Sequence, residues 1–293
     1  MPGHDVRHQQ LAQAAALIRD TSSLVIATGA GMGIDSGLPD FRGNNGFWRA
    51  YPALAQSRLK FEDIASPEAF RLWPWTAWGF YGHRLQLYRA TQPHAGFGLI
   101  ARWLATMPQG GFVFTSNVDG QFQKAGFAPE RIHECHGSIH HLQCSANCQD
   151  RIWSADVLTP NIDAAACQWQ GELPHCPDCG ALARPNILMF GDWNWNERRS
   201  QAQHERLDAW LEQLPQPPLV LEIGAGRAIA TVRHFSERLQ RQGSLLIRIN
   251  PQEVNVSNLK AIEIALGARE ALEQIQACLE GNGHAQGILS QGV

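Results

Sequence analysis

The stretch SSLVIATGAGMGIDSGLPDFRG, residues 22–43, decides the fold of this protein. It begins with a short apolar segment that predicts a buried β-strand, and the strand runs into the turn Gly29-Ala30-Gly31. Glycines at such a turn let the backbone approach a pyrophosphate closely and direct amide groups at it. The next glycine, Gly33, does not stand at the dinucleotide-binding spacing. The stretch nevertheless predicts the first strand, turn and helix of a nucleotide-binding domain.

Further apolar segments along the chain have the length and composition of buried strands. They are GGFVFTSN (110–117), PNILMFG (185–191), PPLVLEIGAG (217–226) and SLLIRIN (244–250). Segments with helical periodicity lie between them, and one also precedes the first strand at residues 11–18. Short apolar strands that alternate with helices predict an α/β fold, with a parallel sheet covered by helices on both faces.

Two segments interrupt this alternation. Residues 44–90 are rich in aromatic residues and arginine and have helical spacing, whereas residues 140–184 are polar and contain five cysteines. We predict that both are insertions, and that together they form a smaller domain over the open edge of the sheet. The Rossmann-like domain is then discontinuous, and a flexible tail follows it. Its three parts and the tail are predicted at 1–43, 91–139, 185–281 and 282–293.

Composition narrows the class of protein. A hydrophobic fraction of 44% over 293 residues supplies a substantial core. The net charge of −3 gives no basic field for nucleic acid or for anionic membrane, so we expect neither as a partner. The chain has neither a secretory signal nor an apolar run of about 20 residues, which predicts a cytoplasmic protein. An odd number of cysteines, 7, favours metal binding over a disulfide framework.

The motifs, taken together, resemble those of the sirtuin family. GAGMGIDSGLPDFRG is similar to the sirtuin signature almost throughout, and the likeness continues in TSNVD, HECHGS, RPNILMFGD, EIGAG and RIN, in the family's order. It covers roughly residues 11–276. The resemblance implies an NAD-dependent protein-lysine deacylase that acts on acyl-lysine side chains of proteins and releases nicotinamide, O-acyl-ADP-ribose and free lysine.

The resemblance also implies that NAD binds along these motifs as co-substrate. The residues expected to line its site are Gly29, Ala30, Gly31, Asp40, Phe41, Arg42, Asn117, Asp119, Gly224, Ala225 and Asn250. Within this set, Asn117 and Asp119 would form the nicotinamide pocket, with Asp119 accepting a hydrogen bond from the carboxamide. Asn117 is also expected to act in catalysis, and Asn250 to contact the adenosine ribose.

His136, in CHGS, is the expected catalytic base. It follows a predicted strand and its loop, and an imidazole with an ordinary pKa of about 6.5 can both take and return a proton near neutral pH. In the family mechanism the acyl oxygen attacks the anomeric carbon of NAD as nicotinamide leaves. The family's histidine then deprotonates a ribose hydroxyl, which attacks the resulting imidate.

The cysteines of the polar insertion predict a structural zinc site. Cys144 and Cys148 form one pair, and Cys176 and Cys179, in CPDCG, form a second pair that can complete a tetrahedral thiolate set. The first pair is separated by three residues where the family usually has two, which leaves Cys167 as an alternative to Cys148. A closed four-thiolate site has no position for substrate, so the metal is expected to support folding.

The helical insertion contains a candidate pocket for the acyl group. Tyr81 and Arg84 are three residues apart and predicted to share one helix face, and Ala65 lies upstream. An alanine, a tyrosine and an arginine have the same spacing in sirtuins that remove succinyl and malonyl groups. Because guanidinium groups bind carboxylates through charge-assisted hydrogen bonds, the spacing predicts a preference for acidic acyl groups.

Three positions depart from the family pattern. Ser116 stands where glutamine is common, and Asp192 stands where FGE would have glutamate. The segment EIGAGRAIATVR (222–233) replaces the usual GTS and the valine and proline that follow it. The last two flank the expected substrate channel.

Other activities would use the same motifs. One alternative is a sirtuin-type protein ADP-ribosyltransferase, but those enzymes typically lack the histidine of HGS that is present here as His136. A second is an NAD-binding or NAD-hydrolysing sensor module, which would have no use for the base. A third, zinc-dependent hydrolysis, needs an open metal site, which four cysteines do not provide.

Overall fold

The computed structural model describes residues 2–39, 43–254 and 261–287 of the chain. The helices are α1 (Pro2–Asp20), α2 (Gly31–Ile34), α3 (Gly43–Ala50), α4 (Pro52–Gln56), α5 (Phe61–Ile64), α6 (Pro67–Leu72), α7 (Pro74–Ala90), α8 (Ala95–Thr106), α9 (Gln121–Lys124), α10 (Arg198–Glu212), α11 (Thr231–Arg241) and α12 (Ala268–Gly287). The strands are β1 (Leu24–Thr28), β2 (Gly111–Thr115), β3 (Ile132–Glu134), β4 (Gly137–Cys144), β5 (Ile152–Ser154), β6 (Ile162–Asp163), β7 (Gln168–Trp169), β8 (Ala183–Ile187), β9 (Leu219–Ile223), β10 (Leu246–Ile249) and β11 (Ile262–Ile264). Short 3₁₀ turns cover Pro129–Arg131 and Ala155–Val157.

Within the described residues, six strands form a parallel sheet in the order β11-β10-β9-β1-β2-β3. The first strand of the chain, β1, therefore lies between β2 and β9. The chain adds β2 and β3 on one side of β1, and later adds β9, β10 and β11 on the other side. In open α/β sheets, ligands bind beyond the carboxyl ends of the strands at such a reversal of strand order. The predicted α/β fold with a parallel sheet is confirmed.

Both faces of this sheet are covered by helices, and β1 shows why its sequence is continuously apolar. Leu24 and Ile26 belong to the core under α1, α8 and α12, whereas Val25 and Ala27 face the opposite core under α10 and α11. Successive side chains of a strand point to opposite faces of the sheet. A strand buried on both faces is therefore apolar along its length, as β1 is from Leu24 to Ala27, and its last residue, Thr28, pairs its buried hydroxyl with that of Thr115.

A second core joins the helices of residues 43–90 to the antiparallel strands β4 and β8. It contains Phe47, Trp78 and Tyr81 from the helices and Leu142 and Ile187 from the strands. Prolines begin three of these helices, α4, α6 and α7. Proline suits the first helical turn, because the N–H group that it lacks has no partner inside the helix there. The aromatic segment thus folds as short helices whose apolar side chains share one core with the cysteine-containing segment.

Two features differ from the sequence-based expectations. The segment PNILMFG was expected in the parallel sheet, but β8 pairs antiparallel with β4, in a sheet of the order β5-β4-β8. Apolar composition reports that a strand is buried and does not identify its partner. Helix α12 continues to Gly287, past the predicted start of the tail at residue 282, whereas residues 288–293 lie outside the described residues. Among the helices described, none has the length and apolarity needed to cross a membrane.

Candidate active site

The carboxyl ends of β1 and β9 meet at the reversal of strand order. The Gly29 amide donates to the Ile223 carbonyl at 3.1 Å, and the Gly31 amide donates to the Gly224 carbonyl, also at 3.1 Å. A Cβ atom on Gly31 would lie 2.5 Å from Gly224 Cα, a distance that real side chains do not adopt. The two turns touch backbone to backbone, which accounts for glycine in both. They leave a backbone-lined floor of the kind that binds phosphate groups.

The contact between these turns predicts that Gly224→Ala destabilises the protein. Gly224 has φ of +64°, and an added Cβ would lie 2.4 Å from Gly31 Cα. We expect the free energy of unfolding to fall by about 1–3 kcal/mol, measured by urea denaturation. Gly226→Ala is the matched control, because its Cβ would meet nothing closer than Glu253 Oε2 at 3.8 Å. Equal losses in the two variants would contradict this explanation.

Asn117 and Asp119 follow β2, and Asn117 contacts the glycine floor. The Asn117 side-chain amide donates to the Gly29 carbonyl at 3.0 Å, which links the loop after β2 to the turn after β1. Asp119 is buried, and one of its carboxylate oxygens accepts the Gln121 amide at 2.9 Å. Burial raises the pKa of Asp119 to about 6. The structure thus places the Asn117 amide at the carboxyl end of β1 and buries the Asp119 carboxyl group in the loop after β2.

His136 follows β3, and one contact holds its backbone while another holds its imidazole. Its backbone carbonyl accepts the Leu188 amide at 2.9 Å, and its Nε2 lies 3.2 Å from the Thr231 hydroxyl oxygen at the start of α11. Burial lowers the pKa of His136 from the usual 6.5. The imidazole is therefore neutral at pH 7 and able to accept a proton.

Asn250 is buried and holds the loop after β9. Its side-chain amide donates to the Ala225 carbonyl at 3.0 Å, and its oxygen accepts the amides of Gln252 and Glu253. Asn250 thus fixes the backbone next to Gly224. Ala30, also expected at the NAD site, precedes α2 and is exposed. The remaining predicted NAD residues, Asp40, Phe41 and Arg42, lie outside the described residues.

The residues proposed for the acyl group are buried among aromatic rings. The Ala65 carbonyl accepts the Phe190 amide at 2.9 Å, and the Tyr81 ring stacks on Phe70 with ring centroids 5.6 Å apart. Arg84 is 8% exposed and donates from Nε and Nη2 to the Tyr88 hydroxyl at 2.9 and 2.6 Å.

Tyr88, which sequence reasoning missed, places its hydroxyl beside Arg84. Tyr81 presents its ring to Arg84, with the guanidinium carbon 5.9 Å from the ring centroid. Tyr88 is four residues after Arg84 on α7, and residues with this spacing on a helix are neighbours. The same spacing rule could therefore have found it in the sequence.

Four cysteine sulfurs form a compact group, those of Cys144, Cys148, Cys176 and Cys179, all within 4.8 Å of one another. Cys144 Sγ lies 3.6 Å from Cys179 Sγ, and Cys148 Sγ lies 3.6 Å from Cys176 Sγ. A tetrahedral zinc ion with thiolate ligands at about 2.3 Å separates its sulfurs by about 3.8 Å. The group therefore fits a structural zinc ion.

The alternative zinc ligand, Cys167, lies elsewhere in the smaller core. It is 2% exposed and packs among the apolar side chains of the helices and of β4 and β8. Its carbonyl oxygen faces Gly79 of α7 so closely that a Cβ on that glycine would lie 2.2 Å away. The structure thus brings Cys148, and not Cys167, into the four-cysteine group.

Asp192, one of the departures from the family pattern, shapes the loop after β8. Its two carboxylate oxygens accept from the Arg184 guanidinium at 2.7 and 2.9 Å, in an almost fully buried pair. The same carboxylate accepts the amides of Met189 and Asn194. Asp192 therefore stabilises the loop that runs past His136. Trp193, at the outer end of this loop, is 97% exposed.

Comparisons with known proteins agree with this arrangement. The sequence model of the Sir2 family matches residues 29–212. An NAD-dependent protein deacylase of Thermococcus kodakarensis is 27% identical over 266 residues, which cover 90% of this chain and 94% of the relative. An NAD-dependent protein deacetylase of Sulfurisphaera tokodaii is 30% identical over 88% of this chain and 90% of its own.

Solved structures of Sir2 homologues share the fold. A crystal structure described as a Sir2 homolog–NAD complex superimposes with a TM-score of 0.71, at 23% identity, and covers 92% of this chain and 94% of its own. A mutant Sir2 homologue in complex with ADP ribose has a TM-score of 0.72, also at 23% identity. The superposition covers 96% of this chain and 98% of that homologue. At this level of identity the likeness establishes the fold alone.

Proposed function

This chain belongs to the Sir2 family, and we propose that its NAD-dependent deacylase activity is directed at protein lysines that carry acidic acyl groups. The curated relatives are NAD-dependent protein deacylases and deacetylases, which makes protein-lysine deacylation with NAD as co-substrate the activity of this chain. The observation that carries the proposal is the buried guanidinium of Arg84, which is enclosed by aromatic rings, in a chain that also has a half-buried, neutral imidazole at His136.

The proposed reaction requires positioning, exclusion of water and one base. The acyl oxygen forms a bond to the anomeric carbon of NAD as the bond to nicotinamide breaks. His136 then takes the proton of a ribose hydroxyl, and the oxygen of that hydroxyl attacks the imidate carbon. Burial favours the proton-free imidazole that this step needs. The glycine floor would hold the pyrophosphate, and Asn117 and Asp119 would hold the nicotinamide.

Arg84 supports the preference for succinyl and malonyl groups. A guanidinium is planar, and its N–H donors match the two oxygens of a carboxylate. The rings of Phe80, Tyr81 and Tyr88 surround it at 5.2 to 5.9 Å, so a carboxylate reaching it would be largely removed from water. Charge-assisted hydrogen bonds are strongest under those conditions. Burial raises the pKa of Asp119 and Arg84 lowers it by a smaller amount, which supports placing the acyl and nicotinamide pockets close to each other.

The substitution Arg84→Met tests the acyl preference. We expect kcat/KM to fall about 30-fold for succinyl- and malonyl-lysine peptides, since a hydrogen bond to a charged group contributes about 2 kcal/mol. The value for the matched acetyl-lysine peptide changes little. Arg102→Met, which removes an exposed arginine on α8, is the control for the loss of charge. Equal losses on the acetyl and succinyl peptides would contradict a carboxylate clamp.

The surface beside the pocket suits a protein substrate. Leu188 and Phe190 are each 38% exposed, Trp193 is almost fully exposed, and all three follow β8 where it passes His136. Exposed apolar side chains grouped next to a site favour contact with another protein. An acyl-lysine in an extended segment would bring its neighbouring residues over this surface.

The organisation of the chain is part of the proposal. We assign residues 1–43, 91–139 and 185–281 to the NAD-binding domain, and residues 44–90 and 140–184 to the smaller domain. The shared core of α3–α7 with β4 and β8, distinct from the two cores of the parallel sheet, supports two domains, and it also includes Ile187 and Met189, past the assigned boundary at residue 185. NAD and acyl-lysine would then meet in the cleft between the two domains, whose closure excludes water from the reaction.

The proposed function is tested with purified protein, NAD and matched acetyl-, succinyl- and malonyl-lysine peptides, following peptide mass and nicotinamide release. We expect loss of the acyl group with one nicotinamide released per turnover. Nicotinamide release while the peptides keep their acyl groups would overturn deacylation, and ADP-ribosyl transfer or NAD hydrolysis would replace it.

A further inference from the structure

The segment in which this chain departs most from the family pattern, residues 222–233, ends next to the catalytic base. Thr231, the first residue of α11, places its hydroxyl oxygen 3.2 Å from His136 Nε2. These residues are 95 positions apart in the sequence, so the contact depends on the fold and not on local geometry. The segment that departs from the family pattern thus places a hydroxyl group within hydrogen-bond distance of the imidazole.

Both sides of this contact are held by the surrounding structure. After Thr231, α11 buries Val232 and Phe235 in the core that it shares with β1 and β9. Arg233, one turn into the helix, donates from Nε to the Ala225 carbonyl at 3.1 Å and so ties α11 to the loop after β9. The His136 backbone is fixed in turn by the Leu188 amide. The hydroxyl and the imidazole therefore meet on two rigid elements.

A hydroxyl suits an imidazole that gains and loses a proton. It can donate to an unprotonated ring nitrogen and accept from a protonated one, because it is both donor and acceptor. When Nε2–H donates to the Thr231 hydroxyl, the lone pair of the neutral ring is on Nδ1, and Nδ1 is the nitrogen that takes the ribose proton. A catalytic base is commonly oriented by a further group in this way.

We propose that Thr231 is a positioning residue for His136, which holds the imidazole in the orientation that takes the proton from the ribose hydroxyl. This inference rests on the proposed function. Nicotinamide leaves before the base acts, so the first step should not depend on Thr231. In that step the acyl oxygen bonds to the anomeric carbon as the bond to nicotinamide breaks, and labelled nicotinamide can reverse it.

The test compares Thr231→Val, which removes the hydroxyl at nearly constant shape, with Thr231→Ser, which keeps it. For Thr231→Val we expect kcat for deacylation to fall about 10- to 100-fold, the range typical of lost orienting partners. Exchange of labelled nicotinamide into NAD, in the presence of acyl peptide, stays within about twofold of the unchanged enzyme. Thr231→Ser restores most of the deacylation. Thr106→Val, whose hydroxyl bonds the Trp103 carbonyl within α8, is the control for loss of a threonine hydroxyl elsewhere.

The outcomes separate this inference from the proposed function. Full deacylation by Thr231→Val, an equal loss of exchange and deacylation, or a serine variant as impaired as the valine variant would each overturn the positioning role. Absence of deacylation by the unchanged enzyme would overturn the proposed function and this inference with it. We expect the valine variant to unfold at the same temperature as the unchanged enzyme, because the hydroxyl makes a single, partly buried contact with His136.

Discussion

We expect the replacement of His136 with alanine to lower kcat for deacylation about a thousandfold, within the range that one general base contributes. The reason is the timing of the proton transfer, since without the imidazole the ribose hydroxyl keeps its proton and the imidate is not attacked. Exchange of labelled nicotinamide into NAD continues, because the base acts after nicotinamide leaves. The measurement follows acyl-peptide mass and nicotinamide exchange in the same samples.

The pH dependence of the unchanged enzyme provides a second readout for His136. Burial lowers the pKa of this histidine from 6.5, so the base form persists to lower pH than for an exposed histidine. We expect kcat to stay level at neutral pH and to fall only below pH 6.5, as the ring becomes protonated. A His136→Ala variant that deacylates at the normal rate, or one that loses exchange and deacylation together, would show that the base lies elsewhere.

Replacing Cys176 with serine abolishes stoichiometric zinc binding and lowers the free energy of unfolding by more than about 3 kcal/mol. The four sulfurs join the end of β4 to the turn between β7 and β8. Without the metal, few hydrogen bonds between strands hold that segment together, because β6 and β7 are only two residues long. Zinc content by atomic absorption and thermal unfolding with and without a chelator measure the effect.

The control for the zinc prediction is Cys278→Ser, a half-buried cysteine on α12 outside the four-cysteine group. We expect this variant to keep one zinc ion per chain and its unfolding temperature. Because the sulfur group is closed, loss of metal should reduce deacylation only through unfolding of the smaller domain. A Cys176→Ser protein that binds zinc and unfolds normally would refute the assignment.

The parts of this structure that could be predicted from sequence are those set by local chemistry. The glycine turn, the apolar strand β1 and the two pairs of cysteines each carry a short pattern with one physical cause. The spacing of cysteines could not choose between Cys148 and Cys167, because that choice depends on where the chain returns after a long loop. Apolar composition likewise identified β8 as buried and assigned it to the wrong sheet.

The partners of the site residues were the least predictable, since they come from distant parts of the chain. Thr231 reaches His136, and the Tyr88 hydroxyl accepts from Arg84. Asp192 was predicted as a departure from the family, but its pairing with Arg184 needs the antiparallel strand to place both side chains in one buried position. Hydrogen bonding in a fold is decided by three-dimensional neighbours, which sequence patterns specify only within one helix or turn.

The position of β1 in the sheet has a consequence for synthesis of the protein. Its neighbour β9 begins at Leu219, almost two hundred residues later, so the centre of the sheet cannot form until most of the chain has left the ribosome. Contacts between such distant segments slow folding, because a long loop must close before any of them stabilises the product. During that delay one whole edge of β1 lacks its partner. Chaperones that shield unpaired apolar strands are therefore expected to matter most for the newly made amino-terminal half.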